Sequence, residues 1–416
     1  MAELLYKTFY FLLLPFYFCL FTFAFPLCKL SRMKILILGS GRMGLGAAYD
    51  LAHNTNDVEA ITVADMDFEK AKAVVEQVKS DKVSARQADV SDYSQAVELM
   101  HGHDSAISCV NYWYNAHLAK AAIETKTNFC DLGGNNTIVD EELAFDEEAK
   151  RAGINIIPDC GLAPGMVSVL AMHGAERFDE VESIKIRVGG LPQTPVPPLN
   201  YQIVFSVEGL INEYIEKARV IRDGKISDVE SMTEIESLTF PVPYGEMEAF
   251  QTSGGTSTLP DTFLGKIKEL DYKTIRYTGH CEKFKAMIDL GLCSSNEIDV
   301  DGVRVKPRRV LGELLYKNLP ADGADLVFVR LEFRGLMKDE EKALRYDIID
   351  KFDEETNLSA MMRTTAFPAS IIAQMMARGE TAYRGATPQE KVIPTQRFVD
   401  ELAKRNIVIE ESYQTL

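Results

Sequence analysis

The sequence predicts an α/β fold, in which a doubly wound parallel sheet of the Rossmann type precedes a second α+β domain with a mixed or antiparallel sheet. Three observations support this prediction. Short apolar strands alternate with helices between positions 33 and 157, as a parallel sheet with crossover helices requires. A glycine-rich turn follows the first strand. Beyond position 165 the strands are separated by loops rich in glycine and proline.

Size, charge and cysteine content narrow the classes of function. A chain of 416 residues exceeds one average domain, so two domains are expected. The formal net charge of -17 argues against a nucleic-acid partner, because nucleic-acid-binding proteins carry a basic face. The seven cysteines show no metal-ligand spacing, so no metal site is predicted. Cys109, Cys130 and Cys160 are interpreted as small buried side chains in a reducing, cytoplasmic compartment.

The first 32 residues stand apart from both domains. No residue from position 8 to position 28 is charged, and a run of that length suffices to span a bilayer, which needs about 20 residues. A signal peptide is a poor match, because the run is too long and Glu3 precedes it together with Lys7. We interpret segment 1–32 as a misassigned start ahead of Met33, with a membrane anchor as the alternative.

Strands and helices are predicted in order along the first domain, 33–165. The strands are expected at 34–38, 60–64, 83–88, 105–110, 128–131 and 155–158. The helices are expected at 43–53, 68–78, 93–100, from about 115 onward, and at 141–151. The loops between them are short, as connections in such alternating units are.

The second domain is assigned to 166–345. Its strands are predicted at 183–188, 201–205, 272–277 and 326–335, with a proline-rich loop at 191–199. A C-terminal segment, 346–416, is expected to return to the first domain, with helices at 361–379 and 395–405.

The turn after the first strand has the G-x-G-x-x-G pattern of dinucleotide-binding sites, in the form Gly39-Ser40-Gly41-Arg42-Met43-Gly44. In this pattern the first glycine permits a tight turn, the second lets the pyrophosphate approach the backbone, and the third lets helix and strand pack closely. The helix N-terminus then faces the phosphates. A glycine-rich turn without a ligand is the alternative, but the position between a strand and a helix favours a nicotinamide dinucleotide.

Side chains after the following strands are expected to complete the cofactor site. Asp65 is placed to bind the ribose 2′-hydroxyl, and an acid there repels a 2′-phosphate, which favours NAD over NADP. Arg42 leaves NADP open, because a guanidinium in that turn could bind the phosphate. Asp89 and Val90 are assigned to the adenine, and capping of the next helix by Asp89 is an equal alternative. Asn111 is placed beside the nicotinamide ribose.

Five residues are candidate catalytic groups. Asp131 and Asp159 end the fifth and sixth strands, so both should face the crevice where they could hold a substrate ammonium or act as a general base. Arg276 offers a planar fork for a carboxylate. His280 could take up a proton near neutral pH, and Lys283 lies in the same charged segment. The structural alternatives are capping for the two acids and a solvated strand edge for the three basic residues.

Beyond these single residues, several longer strings are distinctive. They are DLGG at 131–134, PDCGLAPGM at 158–166, VGGLP at 188–192, FSVEGL at 205–210, ARVIRDGK at 218–225, GGTSTL at 254–259, YKTIRYTGHCEK at 272–283 and VKPR at 305–308. Through these strings the chain resembles the saccharopine dehydrogenase family from position 33 to about its C-terminus. Within that family it resembles the lysine 6-dehydrogenases.

The resemblance implies NAD-dependent oxidation of L-lysine at the ε-carbon. The products would be ammonia and 2-aminoadipate 6-semialdehyde, which cyclises to piperideine-6-carboxylate. The ammonium would lie near Asp131 and the α-carboxylate near Arg276, and the chain would form at least a dimer through its second domain. Two departures bear on the substrate, because Gln251 and Asn135-Asn136 stand where the lysine enzymes carry histidine.

Two other functions remain open. A saccharopine-type enzyme would join or split an amino acid and an aldehyde, with saccharopine or a carboxylated polyamine as the product. Saccharopine would need two carboxylate sites, and therefore more convergent Arg and Lys side chains. A non-catalytic NAD-binding sensor would have a blocked or acid-free crevice. The expected partners are a small amino-acid substrate and further copies of the chain, with membrane contact only through segment 1–32.

Overall fold

The computed structural model describes residues 32–204 and 206–415. The interpretation of segment 1–32 therefore lies outside the described residues, apart from Arg32. Within the described ranges no helix combines the length and the apolar composition needed to cross a membrane.

The first domain is built around a parallel sheet. Its elements, in chain order, are β1 (Met33–Leu38), α1 (Arg42–His53), β2 (Val58–Asp65), α2 (Phe68–Val78), β3 (Val83–Gln87), α3 (Tyr93–Met100), β4 (Ser105–Ser108), a 3-10 turn (Tyr112–Tyr114), α4 (Asn115–Thr125), β5 (Asn128–Asp131), α5 (Asn136–Leu143), α6 (Asp146–Ala152) and β6 (Asn155–Ile157). Helices α2 and α3 and strand β5 have the bounds that the sequence predicts.

The second domain and the C-terminal segment follow. The second domain contains α7 (Met166–Ala175), β7 (Glu180–Pro192), α8 (Val207–Ile215), β8 (Ala218–Arg222), β9 (Lys225–Val229), β10 (Glu236–Phe240), β11 (Gly245–Gln251), α9 (Leu259–Phe263), β12 (Glu269–Tyr277), α10 (His280–Asp289), β13 (Ile298–Val300), β14 (Val303–Val305), α11 (Pro307–Asn318), β15 (Asp325–Met337) and β16 (Glu340–Lys351). The C-terminal segment contains α12 (Ala360–Arg378), β17 (Gly385–Ala386), α13 (Gln389–Val392), α14 (Thr395–Lys404) and β18 (Glu410–Thr415).

The order of the first sheet is β17-β6-β5-β4-β1-β2-β3, with every pairing parallel. The first six strands thus have the Rossmann order, which confirms the predicted fold class. The order in which the strands are added to the sheet reverses between β1 and β4, so a ligand crevice is expected at the carboxyl ends of these strands. Strand β1 is almost completely buried, because helices cover both faces of a parallel sheet.

The second sheet is mixed. Its order is β10-β11-β12-β7-β15-β16-β18, and β8 and β9 pair beside β12. Strands β7 and β12 are parallel to each other, whereas their other neighbours are antiparallel. The central strand β7 is long and is buried over its second half. Its apolar side chains contribute to the main hydrophobic core.

Three local predictions need correction. The backbone at 201–204 forms no strand, although Tyr201 and Ile203 are buried, because its apolar side chains pack against α8, α10 and α11 without a neighbouring strand to pair with. The helix expected at 141–151 is divided between α5 and α6 by a turn at Phe145. Asp92, not Asp89, caps α3, since its carboxylate accepts hydrogen bonds from the backbone N–H groups of Ser94 and Gln95.

Helix α12 packs across the first domain. Gly46 in α1 permits this contact, because a β-carbon there would lie only 2.9 Å from the β-carbon of Ala366. At the end of α12, the Arg378 guanidinium donates two hydrogen bonds to Asp57, at 2.7 and 2.8 Å. Strand β17 then pairs with β6 and extends the first sheet.

We expect Arg378→Met to lower the free energy of unfolding by about 2 kcal/mol, because it removes a two-point hydrogen bond to a charged group and leaves Asp57 partly buried. Urea denaturation followed by circular dichroism measures this change. Arg86→Met is the matched control, since the ion pair of Arg86 with Glu98 is exposed and should contribute less than about 1 kcal/mol. Equal losses in the two variants would contradict the anchoring role of Arg378.

Candidate functional site

The turn between β1 and α1 is shaped for a dinucleotide. Gly39 has a φ of +99°, and a β-carbon on Gly44 would lie 2.0 Å from the Gly39 carbonyl oxygen, so neither position accepts a side chain. A β-carbon on Gly41 would meet no atom within 4 Å. No side chain caps the N-terminus of α1, which leaves its N–H groups free for phosphate oxygens. The residues present therefore fit a bound pyrophosphate.

Asp65 is fixed against this turn. Its Oδ2 accepts hydrogen bonds from the backbone N–H of Ser40 at 2.8 Å and from the Ser40 hydroxyl at 2.7 Å, and its Oδ1 accepts one from Asp67 N–H. Partial burial by itself would raise the pKa of Asp65, but these hydrogen bonds outweigh it and the pKa falls below its ordinary value. An ionised acid thus stands at the end of β2, where a ribose 2′-hydroxyl would bind.

We expect Asp65→Asn to raise the affinity for NADPH relative to NADH about tenfold, because it keeps the shape of the side chain and removes the charge that repels a 2′-phosphate. Titration of both reduced cofactors, followed by their fluorescence, measures the ratio. Asp92→Asn serves as the control, since Asp92 is committed to the N-terminus of α3. A ratio that does not change would contradict the role assigned to Asp65.

The other predicted cofactor residues lie around the same turn. Met43 is half-buried against the core beside α1. Arg42 reaches the second domain, where its guanidinium donates to the Ala321 carbonyl oxygen at 2.7 Å and to Asp322 at 2.8 Å. Because the Arg42 guanidinium is hydrogen-bonded to the second domain, it is less available to bind a 2′-phosphate.

The remaining three follow β3 and β4. Asp89 is exposed and accepts hydrogen bonds from the backbone and hydroxyl of Ser91. Val90 is buried in the core of the first domain. Asn111 is exposed at the start of the 3-10 turn. Their roles toward a cofactor stay predictions.

A cluster of buried acids lies beyond the carboxyl ends of β5 and β6. Asp131 accepts hydrogen bonds through Oδ1 from Gly133 N–H at 2.6 Å and from Asp159 N–H at 3.3 Å. The Oδ2 of Asp159 accepts a hydrogen bond from the Ser257 hydroxyl. Among the described residues no hydrogen-bond partner meets Oδ2 of Asp131 or Oδ1 of Asp159. The two acids predicted from their strand-end positions therefore lie together, and each has one oxygen that meets no N–H group and no alcohol or phenol hydroxyl of the described residues.

The sequence did not reveal two further members of this cluster, Glu142 and Glu390. Glu142, in the last turn of α5, is fully buried. Glu390, in α13, accepts hydrogen bonds from the hydroxyls of Thr258 at 2.9 Å and Thr262 at 2.6 Å. We call Asp131, Glu142, Asp159 and Glu390 the acid cluster. Thr258 lies in the distinctive string 254–259, and Thr262 follows it closely. That string is the one sequence feature that could have pointed to Glu390.

Burial sets the protonation of the acid cluster. It raises the pKa of Asp131 to about 6, against the opposing effect of the hydrogen bond from Gly133. It raises the pKa of Asp159 to about 8, and the nearby charge of Asp131 adds to the shift. At neutral pH Asp131 is therefore the anion, and Asp159 is protonated but titrates within the range in which enzymes work.

The loop 253–258 joins the acid cluster to the second domain. Ser257 contacts Asp159, whereas a β-carbon on Gly255 would lie 2.5 Å from the ring of Tyr272 in β12. Close packing at Gly255 brings the ring of Tyr272 against the loop. Tyr272 and the other side chains on its face of β12 therefore lie on one side of the loop 253–258. The acids of the first domain lie on the other side.

Arg276 lies on that face of β12 and is buried. Its guanidinium lies over the ring of Tyr201 at 4.8 Å and over that of Tyr214 at 5.8 Å, and its Nε donates to the Tyr214 hydroxyl at 2.8 Å. Nη1 donates to the Ile275 carbonyl oxygen. Within the described residues Arg276 is the one buried arginine without a carboxylate within ion-pair distance, the others being Arg187, Arg308, Arg330, Arg363 and Arg405.

His280 and Lys283 do not contact the acid cluster, and each makes hydrogen bonds elsewhere in the second domain. Nδ1 of His280 lies 3.0 Å from the Leu199 carbonyl oxygen, to which it must donate, so Nε2 accepts from the Tyr214 hydroxyl at 3.1 Å. Burial, and then the charge of Arg276, lowers the pKa of His280 to about 3. This arrangement does not support proton uptake by His280 near neutral pH. Lys283 is exposed on α10, donates to the Pro198 carbonyl oxygen, and lies outside the acid cluster.

We expect His280→Asn to leave the pH dependence of kcat between about pH 5 and pH 8 unchanged, because the neutral imidazole does not titrate there. Absorbance of the reduced cofactor at each pH measures the rate. His101→Asn, at an exposed position, is the control. A titration step present in the wild type and absent in His280→Asn would show that His280 exchanges the proton.

The two departures from the lysine enzymes have structural roles. Gln251 is buried and donates to Glu234 and Asp271, and Asp271 points to the face of β12 opposite Arg276. Gln251 therefore contacts side chains on the face of the second sheet opposite Arg276. Asn135 caps α5 by accepting hydrogen bonds from Thr137 and Ile138. Asn136 is exposed as the first residue of that helix.

Comparison with known proteins agrees with this architecture. Residues 35–157 match the saccharopine dehydrogenase NADP binding domain, and residues 161–408 match the saccharopine dehydrogenase C-terminal domain. The carboxynorspermidine synthase of Vibrio cholerae is 25% identical over 394 residues, which cover 87% of this chain and 93% of that protein.

The NADP-dependent, L-glutamate-forming saccharopine dehydrogenase of Saccharomyces cerevisiae is 26% identical over 64% of this chain, which spans only 60% of that relative. The solved structure of saccharopine dehydrogenase (L-Glu forming) from the same yeast has a TM-score of 0.76 and 20% identity, and covers 92% of this chain and 100% of its own. This likeness establishes the shared fold. The chain belongs to the saccharopine dehydrogenase family of NAD(P)-dependent oxidoreductases and carries both of its domains.

Proposed function

We propose that the protein uses a nicotinamide dinucleotide, with a preference for NAD, to form or break the carbon–nitrogen bond of a cationic amine that carries one carboxylate. The observation behind this proposal is the ratio of acidic to basic groups at the site. The four carboxyl groups of the acid cluster and Arg276, the one buried arginine of the described residues without a carboxylate at ion-pair distance, lie on the two sides of the loop 253–258. A substrate with more amines than carboxylates complements this balance.

Arg276 has the features of a carboxylate ligand. Its Nε and Nη1 are held by Tyr214 and by the backbone, and Nη2 has no protein acceptor among the described residues. Because the guanidinium is already fixed, Nη2 can bind a substrate carboxylate without a further loss of side-chain entropy. Saccharopine carries more than one carboxylate and would leave some of them without a buried cation, so the geometry favours a substrate with a single carboxylate.

Glu213 adds a further acid on the same side. It is half-buried beside Arg276, and burial raises its pKa to about 7, although the charge of Arg276 opposes the shift. A second ammonium group of the substrate would stabilise its ionised form. Glu213 therefore supports a diamine or polyamine chain as the body of the substrate.

In the oxidative direction Asp159 takes a proton from the substrate ammonium, which frees the nitrogen lone pair. Ser257 orients the Asp159 carboxylate through its hydrogen bond, Asp131 balances the positive charge that develops on the carbon–nitrogen unit, and Arg276 fixes the carboxylate. The bound dinucleotide supplies the hydride acceptor. In the reductive direction protonated Asp159 returns the proton to the new amine.

Two substrates of this class remain candidates. Reductive condensation of an aldehyde with a diamine, giving a carboxylated polyamine and water, is favoured by the Vibrio relative, because the match covers nearly the whole of both chains. Oxidative deamination of L-lysine at the ε-carbon, in which NAD takes the hydride and water hydrolyses the iminium to 2-aminoadipate 6-semialdehyde and ammonium, is favoured by the strings quoted above and by the single carboxylate of lysine. A sensor without catalysis would have an acid-free crevice, and four buried carboxyl groups beyond the carboxyl ends of β5 and β6 do not fit that description.

The test uses the purified chain from Met33 with NAD(H) and NADP(H). Oxidation is assayed with lysine and with saccharopine, and reduction with an amino-acid semialdehyde plus a diamine. We expect turnover with lysine or with the semialdehyde–diamine pair, and a lower kcat/KM with saccharopine. The highest kcat/KM with saccharopine, or no turnover with any of the three, would refute the proposal. The homo-oligomeric state and the cytoplasmic location stay predictions.

A further inference from the structure

A carboxyl pair within the acid cluster supports an inference that rests on the proposed function and extends it. Glu142 and Asp131 are both fully shielded from solvent. Neither oxygen of Glu142 meets an N–H or O–H donor of the described residues, and the same is true of Oδ2 of Asp131. By contrast, Oδ1 of Asp131 accepts from two backbone N–H groups. The carboxyl groups of Glu142 and Asp131 lie within hydrogen-bond reach of each other, so three of their four oxygens have no donor other than a proton that the pair itself carries.

Two carboxylates buried together cannot both be ionised, so the pair must hold a proton. The proton resides on the acid whose anion is less well solvated. Asp131 keeps its charge because two backbone N–H groups stabilise it, and Glu142 has no such donor. The protonated Glu142 then donates its O–H to Oδ2 of Asp131. Burial raises the pKa of Glu142 well above its ordinary value, and the charge of Asp131 raises it further.

Few other titratable groups face the pair. Asp159 follows β6 and contacts Asp131 through its backbone N–H. The thiols of Cys109, Cys130 and Cys160 lie near it, and burial raises the pKa of Cys109 and of Cys160, which keeps both neutral. Asp159 is therefore the group whose charge changes near the pair in the working range of pH.

We infer that Glu142 is a positioning residue: its proton, shared with Oδ2 of Asp131, holds Asp131 as the anion that binds the ammonium of a cationic amine. Asp159 is then left to exchange the proton of the reaction. Two carboxyl groups with adjacent positions in the fold thereby have separate tasks. Asp131 provides the negative charge at neutral pH, and Asp159 provides the proton acceptor.

Two variants of Glu142 separate this role from simple packing. Glu142→Gln keeps a donor toward Asp131, so kcat/KM and the pH midpoint of oxidation should stay close to those of the wild type. Glu142→Leu removes the donor, so Asp131 takes up the proton itself. KM for the amine should then rise about tenfold or more, as expected for the loss of a charged hydrogen-bond partner. The pH midpoint should also move to lower pH, because the charge that raises the pKa of Asp159 is lost.

A second measurement needs no substrate and therefore separates this inference from the proposed function. At neutral pH the infrared difference spectrum between the wild-type protein and Glu142→Gln should show the band of a buried protonated carboxyl that only the wild type carries. Thermal unfolding and NADH binding show that each variant is folded. Absence of the band in the wild type would overturn the inference. So would wild-type KM and pH midpoint in a folded Glu142→Leu variant, even if the enzyme turns over an amine as proposed.

Discussion

Asp159→Asn lowers kcat for amine oxidation by about 10² to 10⁴, because the amide cannot accept the proton that the substrate ammonium must lose. The wild-type rate should rise with pH and level off above about 8, since Asp159 accepts a proton only in its ionised form, and burial raises its pKa to that value. In the variant this rise should disappear. Stopped-flow or steady-state absorbance of the reduced cofactor across the pH range measures both effects.

The control for Asp159 is Ser257→Ala, which removes the hydroxyl that orients the acid and leaves the carboxylate in place. We expect a smaller loss of kcat and a pH dependence that is still present. Reduced-cofactor affinity should be the same in both variants, because neither residue contacts the glycine-rich turn. If Asp159→Asn keeps the wild-type rise of kcat with pH, another group accepts the proton.

Arg276→Met is expected to lower kcat/KM about 10² to 10³-fold, mainly through KM, because a substrate carboxylate would enter a buried site without its cation. Methionine fills a similar volume, so the packing between Tyr201 and Tyr214 should be largely preserved. Steady-state kinetics with the substrate identified in the screen give the two parameters separately.

Lys283→Met controls for Arg276, since Lys283 is a cation of the same segment but is exposed. We expect its kcat/KM to stay close to the wild-type value. An amine analogue without the carboxylate should bind Arg276→Met as well as it binds the wild type. If Arg276→Met affects this analogue and the full substrate equally, Arg276 stabilises the domain and does not bind the carboxylate.

The glycine-rich turn could be predicted because its determinants are local. The run after β1 contains the three glycines, and Gly44 approaches the carbonyl oxygen of Gly39 within that run. Asp131 and Asp159 could be predicted from topology alone, since the carboxyl ends of neighbouring parallel strands meet at one edge of the sheet. A short stretch of sequence determines the geometry in the first case, and the order of the strands determines it in the second.

Other parts of the site depend on distant contacts. Glu390 is held by Thr258 and Thr262, which lie 132 and 128 residues away in the sequence, so no local pattern indicates it. His280 was assigned a proton-transfer role from its residue type, but the aromatic rings and Arg276 that surround it suppress its charge. The apolar run at 201–205 resembled a strand, because burial alone does not distinguish a strand from a buried loop.

The proposed site is tested most directly by the structure of the complex with reduced cofactor and an amine substrate. The substrate carboxylate should lie within hydrogen-bond distance of Nη2 of Arg276, the reacting nitrogen should face Oδ1 of Asp159, and the pyrophosphate should lie at Gly41. A substrate whose carboxylate is bound elsewhere, with its nitrogen away from Asp131 and Asp159, would contradict the proposed site.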